Sequence, residues 1–388
     1  MAGSTFGTHF QITTWGESHG AGIGVVIDGC PAGLSLSQED IQAYLNRRKP
    51  GQSRYATPRK EDDAVQILSG TFEGKTTGTP ISLVVFNQDQ RSRDYSEIAG
   101  YYRPGHADYT LDAKYGFRDY RGGGRSSGRE TIGRVAAGAV AAKLLEEFGV
   151  SVLAYSRSIG PVEIASDPGA ALFQDSSPEA VLALRKSIYG NPLYMPDSDA
   201  ASRAQEYLEE CMKNKDSAGG IIECVLTGVW AGVGDPVFEK LDAALAKSIF
   251  SIGAVKGFEI GDGFAAAKSR GSENNDSFYH DENGQVKKRT NHSGGILGGI
   301  SDGSPIVFRA AVKPTPSISS LQQTVNKNGE DIEISIRGRH DPIIVPRAVV
   351  VVEAMAALTI ADLILSNAGA RTEYLKKIYG AGSKHSHS

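Results

Sequence analysis

Two stretches of this sequence leave a helix no polar side to turn toward water, and they constrain the fold more than any other feature. Val135 to Ala142 lies inside an Ala- and Gly-rich segment from Gly128 to Phe148, and Ala348 to Leu365 is interrupted only by Glu353 and Asp362 among charged residues. A helix that is apolar all round must be buried. The small side chains of the first stretch further imply that another element comes close to it. A membrane span needs about 20 mostly apolar residues with few or no charges, so the two acids make the second stretch a buried helix of a globular core.

Around these cores, other elements follow from local signals. Ser37 caps a helix from Gln38 to about Arg48, with Asp40 near the capping-box position. Asp235-Pro236 reads as a helix start, and Pro346 as the start of the long apolar helix, which stops near Gly369. Strand candidates are Gly22 to Ile27, Ile81 to Phe86, Ser151 to Tyr155, Ile221 to Thr227, Ile306 to Val312 and Ile332 to Ile336. Strands and helices mix without the alternation of a doubly wound parallel sheet, which favours an α+β layered fold over a Rossmann fold. The chain of 388 residues has no low-complexity linker and no fixed-period repeat. It reads as one domain over 1–370 with a polar tail over 371–388. The polar stretch from Ser269 to Asn291 reads as a flexible loop laid over one face.

A formal net charge of -4 argues against non-specific nucleic-acid binding by bulk charge. Cys30, Cys211 and Cys224 have no CxxC spacing and suit structural thiols in a reducing compartment. The beginning Met1-Ala2-Gly3-Ser4-Thr5 lacks a basic region followed by an apolar core. A cytoplasmic location is the expectation.

Chemistry concentrates in a few Gly-, Arg- and Asp-rich segments. His19 lies in Gly16-Glu17-Ser18-His19-Gly20 and His106 in Arg103-Pro104-Gly105-His106-Ala107-Asp108. Others are Asn291-His292-Ser293-Gly294-Gly295 and Gly338-Arg339-His340-Asp341-Pro342. Singly, each histidine is more often structural than catalytic. None has the HExxH or zinc-finger spacing, so no metal is expected. The run from Arg121 to Thr131 puts glycines, hydroxyls and three arginines immediately before the Ala-rich helix. Backbone N–H groups at a helix start, with guanidinium groups, make an anion-binding constellation. It is neither a Walker A motif nor GxGxxG. A second basic run, Arg47 to Arg54, either complements the end of the first helix or meets an anionic ligand; its position in the chain leaves both open.

Four blocks, GESHG, RPGHADYT, YRGGGRSSGRET and GRHDP, resemble the signature blocks of the chorismate synthase family, in the same order. Arg47 to Tyr55, Ser251 to Gly257, Gly294 to Gly299 and Lys313-Pro314-Thr315 agree as well, so the resemblance runs from about residue 5 to 365. Gly128, where many relatives have Ala, and Gly253, where some have Asn, are small departures on backbone-lined sites. The resemblance implies a layered β-α-β sandwich. It also implies anti 1,4-elimination of phosphate from 5-enolpyruvylshikimate 3-phosphate to give chorismate in the shikimate pathway, with reduced FMN required but not consumed.

By the same resemblance, Arg48, Arg54, Arg103 and Arg129 surround the substrate's anionic groups. Arg125, Ser126, Ser127, Gly253, Ala254, Gly298, Lys313, Pro314, Thr315, Pro316, Ser317 and Arg339 hold FMN. His106 faces the reduced flavin, and His19 with Ser18 serves the departing phosphate. Nearby negative charge should raise the pKa of both histidines. Asp341 assists proton removal at the flavin, with Ser127 positioning it; a turn residue pairing with Arg339 is the plainer alternative for Asp341. Relatives are homotetramers. Two other readings remain open: a flavin reductase consuming NADPH, which some relatives carry in addition, and an RNA-binding module suggested by Arg121-Gly122-Gly123. One such triplet in an acidic chain is thin support for the second.

Overall fold

The computed structural model describes residues 3–51, 55, 62–87, 97–121, 123–336 and 341–380. Within them, two five-stranded sheets enclose a layer of helices. The first sheet comprises β1 (Thr5–Phe6), β2 (Gln11–Gly16), β3 (Gly22–Asp28), β4 (Val65–Ser69) and β5 (Ile81–Phe86), in the order β1-β2-β3-β5-β4. The second comprises β6 (Ser151–Ile159), β7 (Val162–Glu163), β8 (Gly220–Thr227), β9 (Val255–Ile260) and β10 (Ile306–Val312), in the order β9-β10-β8-β6-β7. Every pairing in both sheets is antiparallel. This is the α+β layered sandwich expected from the sequence.

The helices that matter for the site are α1 (Gln38–Arg48), α2 (Asp108–Tyr115), α3 (Thr131–Glu146), α4 (Leu241–Phe250) and α5 (Val345–Asn367). The apolar stretches become α3 and α5, packed on one another between the sheets. α3 lies on β3, α5 on β6 and β8, and α1 and α4 fill the layer beside them. α5 is long and apolar enough to cross a membrane, yet most of it is buried inside the protein. Small residues let the two helices approach: a Cβ at Gly138 would lie 2.6 Å from Ala354 Cα. Glu353, expected to interrupt the apolar run, is neutralised by Arg47, whose Nη1 and Nη2 donate to its carboxylate at 2.8 and 2.6 Å. Asp362 instead gathers the backbone N–H groups of Thr8, His9 and Phe10, tying the first strands to the core helix.

α1 carries the expected capping box between Ser37 and Asp40. Three departures from the sequence reading are seen. α4 begins at Leu241, not after Asp235-Pro236, because Val237 is left-handed (φ 66°) and breaks the run that Pro236 could have opened. The strand expected at Ile332 to Ile336 spans Asp331–Ile334 and pairs with Gln322–Val325. The 269–291 stretch is not a bare loop. It forms a short helix and a hairpin, Phe278–His280 with Val286–Lys288, stapled where Asp276 accepts from Thr290, His292, Ser293 and the buried Lys288. The segment beyond 370 contains a helix, Thr372–Tyr379.

Because backbone as well as side chain of Ala354 blocks the space over Gly138, Gly138→Ala should destabilise the fold by about 1–3 kcal/mol, in the range typical of overpacking. Chemical denaturation would read this directly; an unchanged midpoint would mean the helices can move apart freely.

Candidate active site

The sandwich delivers its charged segments to the ends of the central helices. Arg48 closes α1 and is buried, with 1% of its side chain exposed. Its Nη2 donates to Asp63 Oδ2 at 2.8 Å, and its Nη1 to Gly128 O at 3.2 Å and Thr131 Oγ1 at 3.3 Å. Asp63, its side chain wholly buried and its backbone left-handed (φ 44°), also accepts from Arg129 Nη1 at 3.2 Å. One carboxylate thus pins two arginines drawn from sequence blocks 66 and 15 residues away. Burial, with Arg347 nearby, pushes the Arg48 guanidinium down to about 10 against the opposing pull of Asp63, which leaves it charged at neutral pH. Arg347, one residue past Pro346, donates to Arg48 O at 3.2 Å and to Asp341 Oδ2 at 2.7 Å. Asp341 therefore joins the same network. Its observed partner is Arg347; Arg339, the partner considered from the sequence, lies outside the described residues, as does Arg54.

GESHG forms the turn between β2 and β3. Ser18 Oγ lies 3.2 Å from His19 Nδ1. Asn87, just after β5, closes this turn: its Nδ2 donates to Glu17 O and Gly20 O at 3.0 and 2.8 Å. Its Oδ1 accepts from Arg129 Nε and Nη2 at 3.1 and 2.8 Å. The Gly-rich run before α3 forms two short 3-10 turns, Gly124–Ser126 and Gly128–Glu130, the second capped by Ser127 through Arg129 N. Ser126 Oγ turns back onto Gly123 O. Arg125 reaches the neighbouring strand β2, donating to Thr14 Oγ1 at 2.7 Å and Gly16 O at 3.3 Å.

RPGHAD leads into α2. Arg103 clasps Asp108 through Nε and Nη2, both at 2.8 Å. His106 Nδ1 lies 2.9 Å from Pro104 O and its Nε2 2.9 Å from Ser317 Oγ, while Lys313 Nζ donates to Gly105 O at 2.8 Å. The Lys313-to-Ser317 segment thus backs the histidine. Contrary to the expectation from anionic surroundings, the His106 pKa is lowered, by burial first and then by the positive charges of Arg103 and Lys313. The opposing pulls of Pro104 O and the Asp108 carboxylate do not overcome burial and these cations.

Lys313 N also donates to Ala254 O, and Ala254 is left-handed (φ 73°). A Cβ built on Gly253 or on Gly298 meets no atom within 4 Å, so both backbones border open space. Arg134 of α3 holds the Gly253 segment in place, donating to Ser251 Oγ at 2.6 Å while Glu130 accepts from its Nε. Thr315 Oγ1 is buried without a hydrogen-bond partner, whereas Ser217 Oγ donates to Thr315 O at 2.7 Å. Pro342 O accepts from Ala218 N at 2.9 Å, so residues 217–218 bridge the 313–317 and 341–342 segments. His292 pairs with Asp262 at 2.7 Å and serves its own loop.

Asn87, Asp63, Arg134 and Arg347 were missed from the sequence. None sits in one of the reactive blocks, and their signal exists only in space: each satisfies an arginine, an acid or a loop that the blocks left unpaired.

The sequence profile of the chorismate synthase family matches residues 10–365. A chorismate synthase of Lachnoclostridium phytofermentans is 66% identical over 379 residues, covering 98% of this chain and 100% of that protein. One of Methanococcus maripaludis is 53% identical, covering 94% and 98%. Among solved structures, a crystal structure of chorismate synthase superposes with TM-score 0.75 at 33% identity, covering 96% of each chain. These matches define the chain as a lyase. The chain belongs to the chorismate synthase family.

In the ligand-free chain, an NMR titration should find His106 changing protonation below its usual 6.5. Removing a nearby positive charge, as in Lys313→Met, should move the transition up. Because the folded chain favours the neutral ring, this group's contribution to stability is intact above 6.5 and is lost as the pH falls from there. A transition above 6.5 in the free chain would contradict the arrangement.

Proposed function

We propose that the chain eliminates phosphate from 5-enolpyruvylshikimate 3-phosphate in the anti 1,4 sense, giving chorismate for aromatic amino acid biosynthesis, with reduced FMN required and no net redox change. The observation that carries the reading is the hydrogen-bonded continuity from the Ser18–His19 turn through Asn87, Arg129, Asp63 and Arg48 to Arg347 and Asp341. The substrate brings two carboxylates and a phosphate, and Arg48, Arg54, Arg103 and Arg129 are the guanidinium groups to receive them. Planar forked donors suit such oxyanions.

Three features favour a flavin. The open backbone at Gly253 and Gly298 admits a flat ring at close range. The orphaned Thr315 hydroxyl asks for a partner. Lys313 offers positive charge beside it. Arg125, Ser126, Ser127, Gly253, Ala254, Gly298, Lys313 to Ser317 and Arg339 would hold FMN. When bound, reduced FMN supplies electron density that helps phosphate depart and a place for the hydrogen to go.

The chain's own groups do the rest. His19, oriented by Ser18, donates a proton to the departing phosphate oxygen. Burial and nearby cations favour the neutral His106 ring; an anion bound beside it raises the pKa, and the ring can then hold a second proton with Nε2 donating to Ser317 Oγ. Asp341 accepts a proton, and Arg347 holds its carboxylate in place at 2.7 Å. Ser127 fixes the turn that carries Arg129. The exposed Phe117, Phe238 and Phe264 favour assembly of the chain with its own copies into a homotetramer.

Mixing protein, reduced FMN and substrate without oxygen should release phosphate over many turnovers per flavin; one NADPH oxidised per product would overturn the reading and favour a reductase. In the same assay Asp341→Asn and Asp341→Ala should each lose about 10²–10⁴-fold, as expected for a proton-transfer group, with flavin affinity and melting temperature near the parent's. A fully active Asn variant would reduce Asp341 to a structural partner of Arg347. Light scattering should give four copies of the 41.2 kDa chain, and an active monomer would refute the tetramer.

A further inference from the structure

Asn87 hydrogen-bonds both to Arg129 and to the turn that carries Ser18 and His19, and the sequence blocks give it no role. It sits half-buried immediately after β5, and its backbone N donates to Ala21 O at 3.1 Å. Its amide uses every hydrogen-bonding position it has. Oδ1 accepts twice from Arg129, and Nδ2 donates twice, to Glu17 O and Gly20 O. A guanidinium can only donate and a carbonyl can only accept. The amide's orientation is therefore dictated by its partners and cannot flip.

From this geometry we propose that Asn87 is a positioning residue of the elimination. It aims the Arg129 guanidinium at an oxyanion of the substrate and, through the same planar group, fixes the turn that presents Ser18 and His19. The inference rests on the proposed reading of the site. Neutrality is essential to it. Arg129 already shares the buried Asp63 carboxylate with Arg48, and a second carboxylate at position 87 would take up the charge the substrate needs. An aspartate there would also set the oxygen that replaces Nδ2 against the two carbonyl oxygens of the turn, which like partial charges disfavour.

Two variants separate positioning from scaffolding. If Asn87 is only a spacer, the nearly isosteric Asn87→Asp should be milder than Asn87→Ala, with both acting through melting temperature. If it positions Arg129 and the turn, the order reverses. Asn87→Asp should raise KM for 5-enolpyruvylshikimate 3-phosphate by about tenfold or more, beyond the effect of Asn87→Ala, because a lost or neutralised charge-assisted contact acts on binding. Both variants should lower kcat, since the Ser18–His19 turn loses its two donors, while melting temperatures stay close to the parent's. Asn87→Asp with KM at or below that of Asn87→Ala, or kcat unchanged in both, would overturn the proposal. Parent protein without turnover would instead strike the reading of the site. In that event calorimetric affinities of the three proteins for the same phosphorylated substrate still test Asn87: the aspartate variant should bind weakest, and any other order rejects its role.

Discussion

The contact of α3 with α5 sets the terms for everything around it. Two helices this apolar gain most when no water reaches either, and Gly138 against Ala354 brings their backbones close enough to exclude it. Once they are joined, each helix has one face left over, and each face takes a sheet: β3 and its neighbours on α3, β6 and β8 on α5. Antiparallel sheets can present an apolar face inward and a mixed one outward, which is why both sheets are antiparallel where a Rossmann fold would need helices on both sides of one parallel sheet.

Charge is handled by pairing near this core. Glu353 inside α5 would be very costly alone, and Arg47 from the end of α1 cancels it, flanked by the rings of Tyr44 and Tyr189. Arg48, next in sequence, turns the other way to Asp63. Adjacent arginines thus divide their labour: one secures the core and the other anchors the network at the site. Both arginines thus meet carboxylates of this chain, partners that neither explanation weighed for this basic run, helix complement or ligand group, had named.

The same accounting explains why the protein's own charges prepare the site without completing it. Around His106 the nearest charges include Arg103 and Lys313, with Asp108 engaged by Arg103. Burial and these cations keep the ring neutral. Arg103, Arg129 and Arg48 are all tied to carboxylates, so they are held in position at the cost of part of their charge. Preorganised donors of this kind need little rearrangement when an anion arrives.

Much of this was legible in the sequence. The two non-amphipathic stretches required buried helices, alternating and β-branched runs located five of the ten strands of the two sheets, and Ser37 with Asp40 fixed the start of α1. The glycine- and arginine-rich blocks pointed to a family whose sequence profile matches residues 10–365. Local patterns could do this because periodicity, capping and turn chemistry act over a few residues. Asn87, Asp63, Arg134 and Arg347 stayed invisible because a hydrogen-bond partner is defined by distance in space: Arg129 meets Asn87 across 42 residues and Asp63 across 66. The direction of the His106 shift escaped for the same reason, since it depends on which charges the fold sets beside a buried ring. The sequence by itself determined the two buried helices, half of the sheet strands and the reactive blocks; only the tertiary structure decided which arginine faces which carboxylate, because chain-distant charges find one another only after the core has closed.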